Sequence, residues 1–168
     1  MTRIDQEARR LLEEVGQEHP PVDVEAIADY LGMRVVKMRM DDDVSGMLIR
    51  DAGVVTVGLN SSQGQNRHRF TLAHEVGHFR LHRGRALILD SAVRVNFRDA
   101  QSARATDREE MEANRFAAEL LMPARLVMDA VTRLGLDRVD VVKDKLADRF
   151  KVSPEAIGYR LVNLGITS

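Results

Sequence analysis

Two histidines one helical turn apart, set in an otherwise apolar stretch, constrain this chain more than any other feature. In Phe70-Thr71-Leu72-Ala73-His74-Glu75-Val76-Gly77-His78-Phe79 the apolar spacing predicts a helix from Arg67 to about His82, with Phe70, Ala73, Gly77 and Leu81 on adjoining faces. Apolar residues on several sides mean that other elements must enclose it. Imidazoles at i and i+4 leave one face of a helix, about 6 Å apart along its axis. Buried together with nothing to bond, they would destabilise the fold, so the fold has to supply their partners. Gly77 costs such a helix about 1 kcal/mol relative to Ala, a cost that makes sense if another backbone passes close by.

His74-Glu75-Val76-Gly77-His78 fits the H-E-x-x-H pattern. Two imidazoles at this spacing can converge on one zinc, with Zn–N near 2.0–2.1 Å. A glutamate beside the first ligand can stand at the open coordination position, take a proton from an activated water and pass it to a leaving amine. The alternative is a pair of surface histidines on an amphipathic helix, which the apolar flanks oppose. The chain has no cysteine and only five histidines. Disulfide scaffolds, thiolate zinc sites and cysteine nucleophiles are therefore excluded, and His, Asp and Glu remain as strong metal ligands.

A catalytic zinc takes three protein ligands. The downstream run Glu109-Glu110-Met111-Glu112-Ala113-Asn114 offers three carboxylates on a predicted helix from about Thr106 or Asp107 to Met122. Glu110 and Asn114 lie at i and i+4, so Glu110 could bind metal while Asn114 holds a ligand by a hydrogen bond. Thr106 with Glu109, or Asp107 with Glu110, would equally make an N-terminal capping box. Spacing alone leaves the choice among the three glutamates open.

The rest of the chain reads as helices around a small sheet. Helices are predicted from Ile4 to Val15, from Asp23 to Leu31 with Gly32 as its stop, from Pro123 to Leu134, through Val139–Phe150, and after the Ser153-Pro154 cap to Leu164. Strands are predicted at Met33–Met40, at Met47–Arg50 and Val54–Val57 around an Asp51-Ala52-Gly53 hairpin, and at Val93–Phe97. The expected class is α+β: a small antiparallel or mixed sheet packed with helices over 1–122, and a C-terminal helical, helix-turn-helix-like lobe over 123–168. The 25 Lys+Arg and 26 Asp+Glu give a net charge of -1, which argues against a chain that coats nucleic acid. The charged N-terminus lacks the apolar core of a secretory signal, and no apolar run approaches the roughly 20 residues of a membrane span, so the expected address is the cytoplasm.

Phe70 to His78, followed by Glu110-Met111-Glu112-Ala113-Asn114-Arg115-Phe116-Ala117-Ala118-Glu119-Leu120-Leu121-Met122-Pro123, resembles the ImmA/IrrE family of metallopeptidases in its minimal, single-module form. Val95-Asn96-Phe97-Arg98-Asp99 is also similar to a family segment. The resemblance implies a zincin-like domain with a gluzincin-like site: His74, His78 and Glu110 as ligands of Zn2+ (Mn2+ or another divalent ion is an alternative) and Glu75 as catalytic base. The Glu-x-x-Ala-Asn frame selects Glu110, with Glu112 as the fallback. It further implies an endopeptidase that cleaves a helix-turn-helix repressor of the Xre type, relieving repression of mobile elements or stress genes. On the same resemblance Arg98 is a candidate substrate contact.

Other residues carry weaker signals. His82, i+4 from His78, could orient a ligand, stabilise an oxyanion or cap the helix end. His68 and His19 are expected at the surface. Segment 60–105 holds eight arginines against Glu75, Asp90 and Asp99. They read as scattered solvated charges, or else as a groove for an acidic peptide. Leu146 to Leu161 has the outline of a helix-turn-helix, yet its last helix presents Glu155, Gly158 and Tyr159 where a DNA reader needs basic or amide side chains. The alternative to a peptidase is a non-proteolytic metal-binding regulatory or DNA-binding module.

Overall fold

The computed structural model describes residues 2–84, 86–91, 100–134 and 139–166. The chain opens with α1 (Arg3–Glu14), where Thr2 and Asp5 form a reciprocal capping box and Ala8, Leu11 and Leu12 are buried. Asp23 accepts from the Ala26 amide to start α2 (Val24–Tyr30). β1 (Met33–Met38) follows, then β2 (Val44–Asp51) and β3 (Val54–Asn60). Ala52 and Gly53, at φ 46° and 80°, form the left-handed pair that suits a two-residue hairpin between β2 and β3.

β3 inserts between its predecessors, parallel to β1 and antiparallel to β2. β4 (Leu87–Ser91) adds antiparallel to β2, so the order is β1-β3-β2-β4 and the sheet is mixed. α3 (Gln65–Leu81) lies on β2 and β3 and packs against α4 (Ala100–Leu121), which also carries α1. The central core forms there, with Leu48, Val57, Leu59, Leu72, Val76, Phe116 and Leu120 buried. Three helices complete the described chain: α5 (Ala124–Leu134), α6 (Val139–Phe150) and α7 (Pro154–Asn163), the last capped by Ser153. The fold is α+β. Among the described residues no helix is long and apolar enough to cross a membrane.

Polar joints hold this frame. Asn60, fully buried, donates through Nδ2 to the carbonyls of Asp41 and Val44 at 3.0 and 2.7 Å, and its Oδ1 accepts from the Met40 and Ser62 amides. The acidic turn before β2 is thereby pinned to the end of β3. Glu119 of α4 receives Arg9 of α1 at 2.8 Å and Arg160 of α7, and Arg160 also donates to the Met122 carbonyl at 2.9 Å. Arg69 and Asn66 of α3 reach the carbonyls of Phe150, Lys151 and Val152, a second tie to the C-terminal helices.

Two departures from the sequence reading bear on the site. α4 begins at Ala100, not at Thr106 or Asp107. Ala100-Gln101-Ser102-Ala103-Arg104-Ala105 contains good helix formers and no breaker, so the helix extends back through the presumed caps. Thr106 and Asp107 are therefore helix-interior residues, and the capping-box explanation for Glu109 and Glu110 is removed. The fourth strand is Leu87–Ser91. The strand expected at Val93–Phe97 lies outside the described residues.

Candidate metal centre

The site forms where α3 and α4 cross. Residues 71 to 78 of α3 are all buried, which is why the helix shows no single apolar stripe. Gly77 permits the crossing: a Cβ there would lie 3.2 Å from both Cα and O of Ala113 and from Cδ1 of Phe116. This is the close backbone approach predicted for it, and it brings Glu110, one turn before Ala113, opposite the histidines.

His74, His78 and Glu110 each offer one ligand atom, all within 4.8 Å of one another. His74 Nε2 and His78 Nε2 are 3.0 Å apart, and each lies 3.2 Å from an oxygen of Glu110. Two atoms about 2.1 Å from a tetrahedral zinc stand about 3.4 Å apart, so this triangle has nearly the edge that such an ion requires. The donor set of two imidazoles and one carboxylate suits zinc among several divalent ions. The residues present therefore fit a metal. Both imidazoles are essentially inaccessible, while about a third of the Glu110 side chain meets solvent. Of the three residues, Glu110 is the one that meets solvent.

Electrostatics prepare these groups for cation binding. Burial lowers the pKa of His78, outweighing the opposing pull of Glu110, and so favours the neutral imidazole that a metal needs. Burial alone would raise Glu110, but hydrogen bonds and charge from His74 and His78 prevail and hold it at about 2. Around the triangle, Asn114 Oδ1 lies 2.9 Å from His74 Nδ1, and His82 Nδ1 lies 2.9 Å from His78 Nδ1. Arg50 of β2 donates to the carbonyls of His78 and His82, closing the last turn of α3.

Glu75 is fully buried on the sheet side of the helix. A Cβ on Gly46 of β2 would come to 3.5 Å from its Oε1 and 2.5 Å from Thr71 Cγ2. Gly46 thus lets the strand lie against the segment that carries Glu75. It escaped the sequence reading, although an isolated glycine inside a strand is a known sign of close approach.

The remaining candidates fall as follows. Glu112, the fallback ligand, is hydrogen-bonded to His82 Nε2 at 3.0 Å and to Arg108 Nε at 2.8 Å. His68 is half-buried against the Asn60 carbonyl at 2.7 Å rather than free at the surface, because the helix start folds back on β3; His19 is exposed. Arg67, Arg69 and Arg80, counted among the basic excess, bind Ser45, the α6 C-terminus and Glu7 respectively. Arg98 lies outside the described residues.

Comparison with known proteins identifies the family. The family model for the IrrE N-terminal-like domain, Peptidase_M78, matches residues 28–162, a span that includes His74, His78 and Glu110. "Uncharacterized immunity region protein 2" of Bacillus phage phi105 is 27% identical over 117 residues, 69% of either protein. In three dimensions the chain is similar to a Mycobacterium tuberculosis transcriptional regulator, with TM-score 0.63 and 22% identity over 96% of this chain. That likeness concerns the fold, and this chain spans 56% of the regulator's length. With the family model covering most of its length, the chain belongs to the IrrE N-terminal-like peptidase family, Peptidase_M78.

Proposed function

We propose that this chain is a zinc-dependent endopeptidase of regulatory type that cleaves a helix-turn-helix repressor of the Xre class in the cytoplasm. The observation that carries the reading is the His74–His78–Glu110 triangle, with the buried Glu75 carboxylate next to His74 in the chain. Zinc bound there supplies Lewis acidity that lowers the pKa of water and polarises a peptide carbonyl. Glu75 takes the proton of the water that attacks the carbonyl carbon, then delivers it to the amine as the C–N bond breaks. Asn114, through its amide oxygen, orients His74 with the Nε2 lone pair inward. The C-terminal helices 123–168 form a lobe fixed to the peptidase unit 1–122, available for docking the substrate protein.

The repressor as substrate is supported by family membership and by the similarity to a phage immunity-region protein. The DNA-binding alternative gains nothing from α7. Its Arg160 is buried and bound to Glu119 and Met122, so it is not offered to a phosphate. Incubating the zinc-loaded protein with the repressor encoded beside it should give discrete fragments. Glu75→Gln should retain zinc and give none; cleavage at the wild-type rate by that variant would refute the role of Glu75.

A further inference from the structure

We infer that His82 and Glu112 are positioning residues for the metal. They form a hydrogen-bonded chain from the protein surface to His78 that fixes the tautomer in which His78 Nε2 faces Glu110. The inference rests on the metallopeptidase reading and deepens it.

With one proton on each ring, the hydrogen bonds of this chain take their direction from its outer end. Arg108 Nε donates to Glu112 Oε1 at 2.8 Å, and an ionised carboxylate can only accept. The contact of 3.0 Å between Glu112 Oε2 and His82 Nε2 therefore places the His82 proton on Nε2. In the singly protonated tautomer, with that proton on Nε2, the lone pair sits on Nδ1. That atom lies 2.9 Å from His78 Nδ1, which must donate. In the metal-loaded protein a His78 with its proton on Nδ1 would present the lone pair of Nε2, the atom 3.0 Å from His74 Nε2 and 3.2 Å from Glu110 Oε1, which without metal hydrogen-bonds Glu110. The assignments are thus linked, and the last one turns a lone pair of His78 toward the candidate metal position.

The helix makes this arrangement economical. His74, His78 and His82 are spaced by one turn, and the rings of the last two are 5.0 Å apart, so the third histidine bonds the second from the same face. His82 is buried, which shields both hydrogen bonds from water. His74 is served differently, by the amide oxygen of Asn114. An amide can turn its NH2 toward a ring nitrogen, whereas a carboxylate can only accept. Glu112 therefore acts as the anchor, and its position two residues after Glu110 places one carboxylate of α4 at the metal and the other behind a ligand.

The test compares zinc affinity in wild type, His82→Phe and Glu112→Gln by competition with a chromophoric chelator, together with imidazole 15N–1H spectra of the zinc-loaded proteins. Removing an outer hydrogen-bond partner of a ligating histidine typically costs about 10–100-fold in affinity, and His82→Phe should fall in that range. Glu112→Gln keeps an acceptor oxygen and should lose less. Zinc-loaded wild type should show His78 ligated through Nε2 with a protected proton on Nδ1, and His82→Phe should lose that protection. Wild-type affinity in His82→Phe, or a loaded His78 ligated through Nδ1, would overturn the inference. Should His82→Phe not fold, Glu112→Leu at the outer end decides the matter: unchanged affinity overturns the chain and weakened affinity supports it. The titration involves no substrate. A zinc-loaded wild type that cleaves no repressor would sink the proposed function and leave this result standing on its own.

Discussion

Two glutamates of α4, Glu110 and Glu119, differ in their partners, and the difference separates a candidate binding site from a structural joint. Glu119 is almost fully enclosed and is answered by two arginines, which cannot lose their charge. Its negative charge is permanently compensated, and it ties α1, α4 and α7 together. Glu110 is a third exposed and faces two buried imidazoles, whose ring nitrogens can act as donors or as lone pairs. The same residue type on the same helix is thus a fixed clamp in one place and part of a candidate cation site in the other, according to the chemistry opposite it.

The sharpest way to break the comparison is to exchange the two outcomes. Glu119→Ala should lower stability by about 3–5 kcal/mol in urea unfolding, because Arg160 is left buried without its counter-charge. Zinc affinity of the folded fraction should stay unchanged. Glu110→Gln should do the reverse: zinc affinity should fall by more than the roughly 100-fold expected of an outer partner, while the metal-free chain unfolds within about 1 kcal/mol of wild type. If Glu119→Ala weakened zinc as much as Glu110→Gln, the distinction between the two ends of α4 would be lost.

Smaller effects refine it. Gly77→Ala should cost about 1–3 kcal/mol by overpacking against Ala113, although alanine favours helices, and should weaken zinc by displacing α4. Unchanged stability and affinity would show that the helices need not approach so closely. At Asp5, the Arg115 guanidinium and the Thr2 cap hold the carboxyl well below its ordinary value against the opposing effect of burial. A depressed carboxylate stabilises the fold above its unfolded pKa of about 3.9 and loses that contribution as pH falls below it. Asp5→Asn should therefore cost about 1 kcal/mol at pH 7, since Arg115 is half exposed, and the gap should close as the pH drops below about 4. A gap that persisted in strong acid would show that the carboxylate charge is not its source.

How much of this was legible in the sequence depended on how local the cause was. The α3 motif was readable because helical periodicity puts His74 and His78 on one face. The Ala52-Gly53 hairpin was readable because its turn chemistry lies within two residues. The start of α4 was misread because Thr106 and Asp107 are good caps in isolation and nothing nearby reveals that Ala100 to Ala105 continue the helix. Leu87–Ser91 is five residues long, too short for a periodic signal, and its place was set by pairing with β2, more than 35 residues earlier. Asn60 and Gly46 matter through contacts with chain distant in sequence. Spacing alone did not separate Glu110 from its neighbours, because what brings Glu110 opposite the histidines is the α3–α4 crossing at Gly77 and Ala113.

One metal ion held by three side chains, with its fourth position left to solvent, is the centre of the proposed chemistry. Anomalous diffraction at the zinc edge from crystals of the zinc-loaded protein tests that claim most directly. The predicted result is a single strong peak bonded to His74 Nε2, His78 Nε2 and a Glu110 oxygen, with the fourth position taken by solvent. A peak elsewhere, or an ion closed off by four protein ligands, would contradict it.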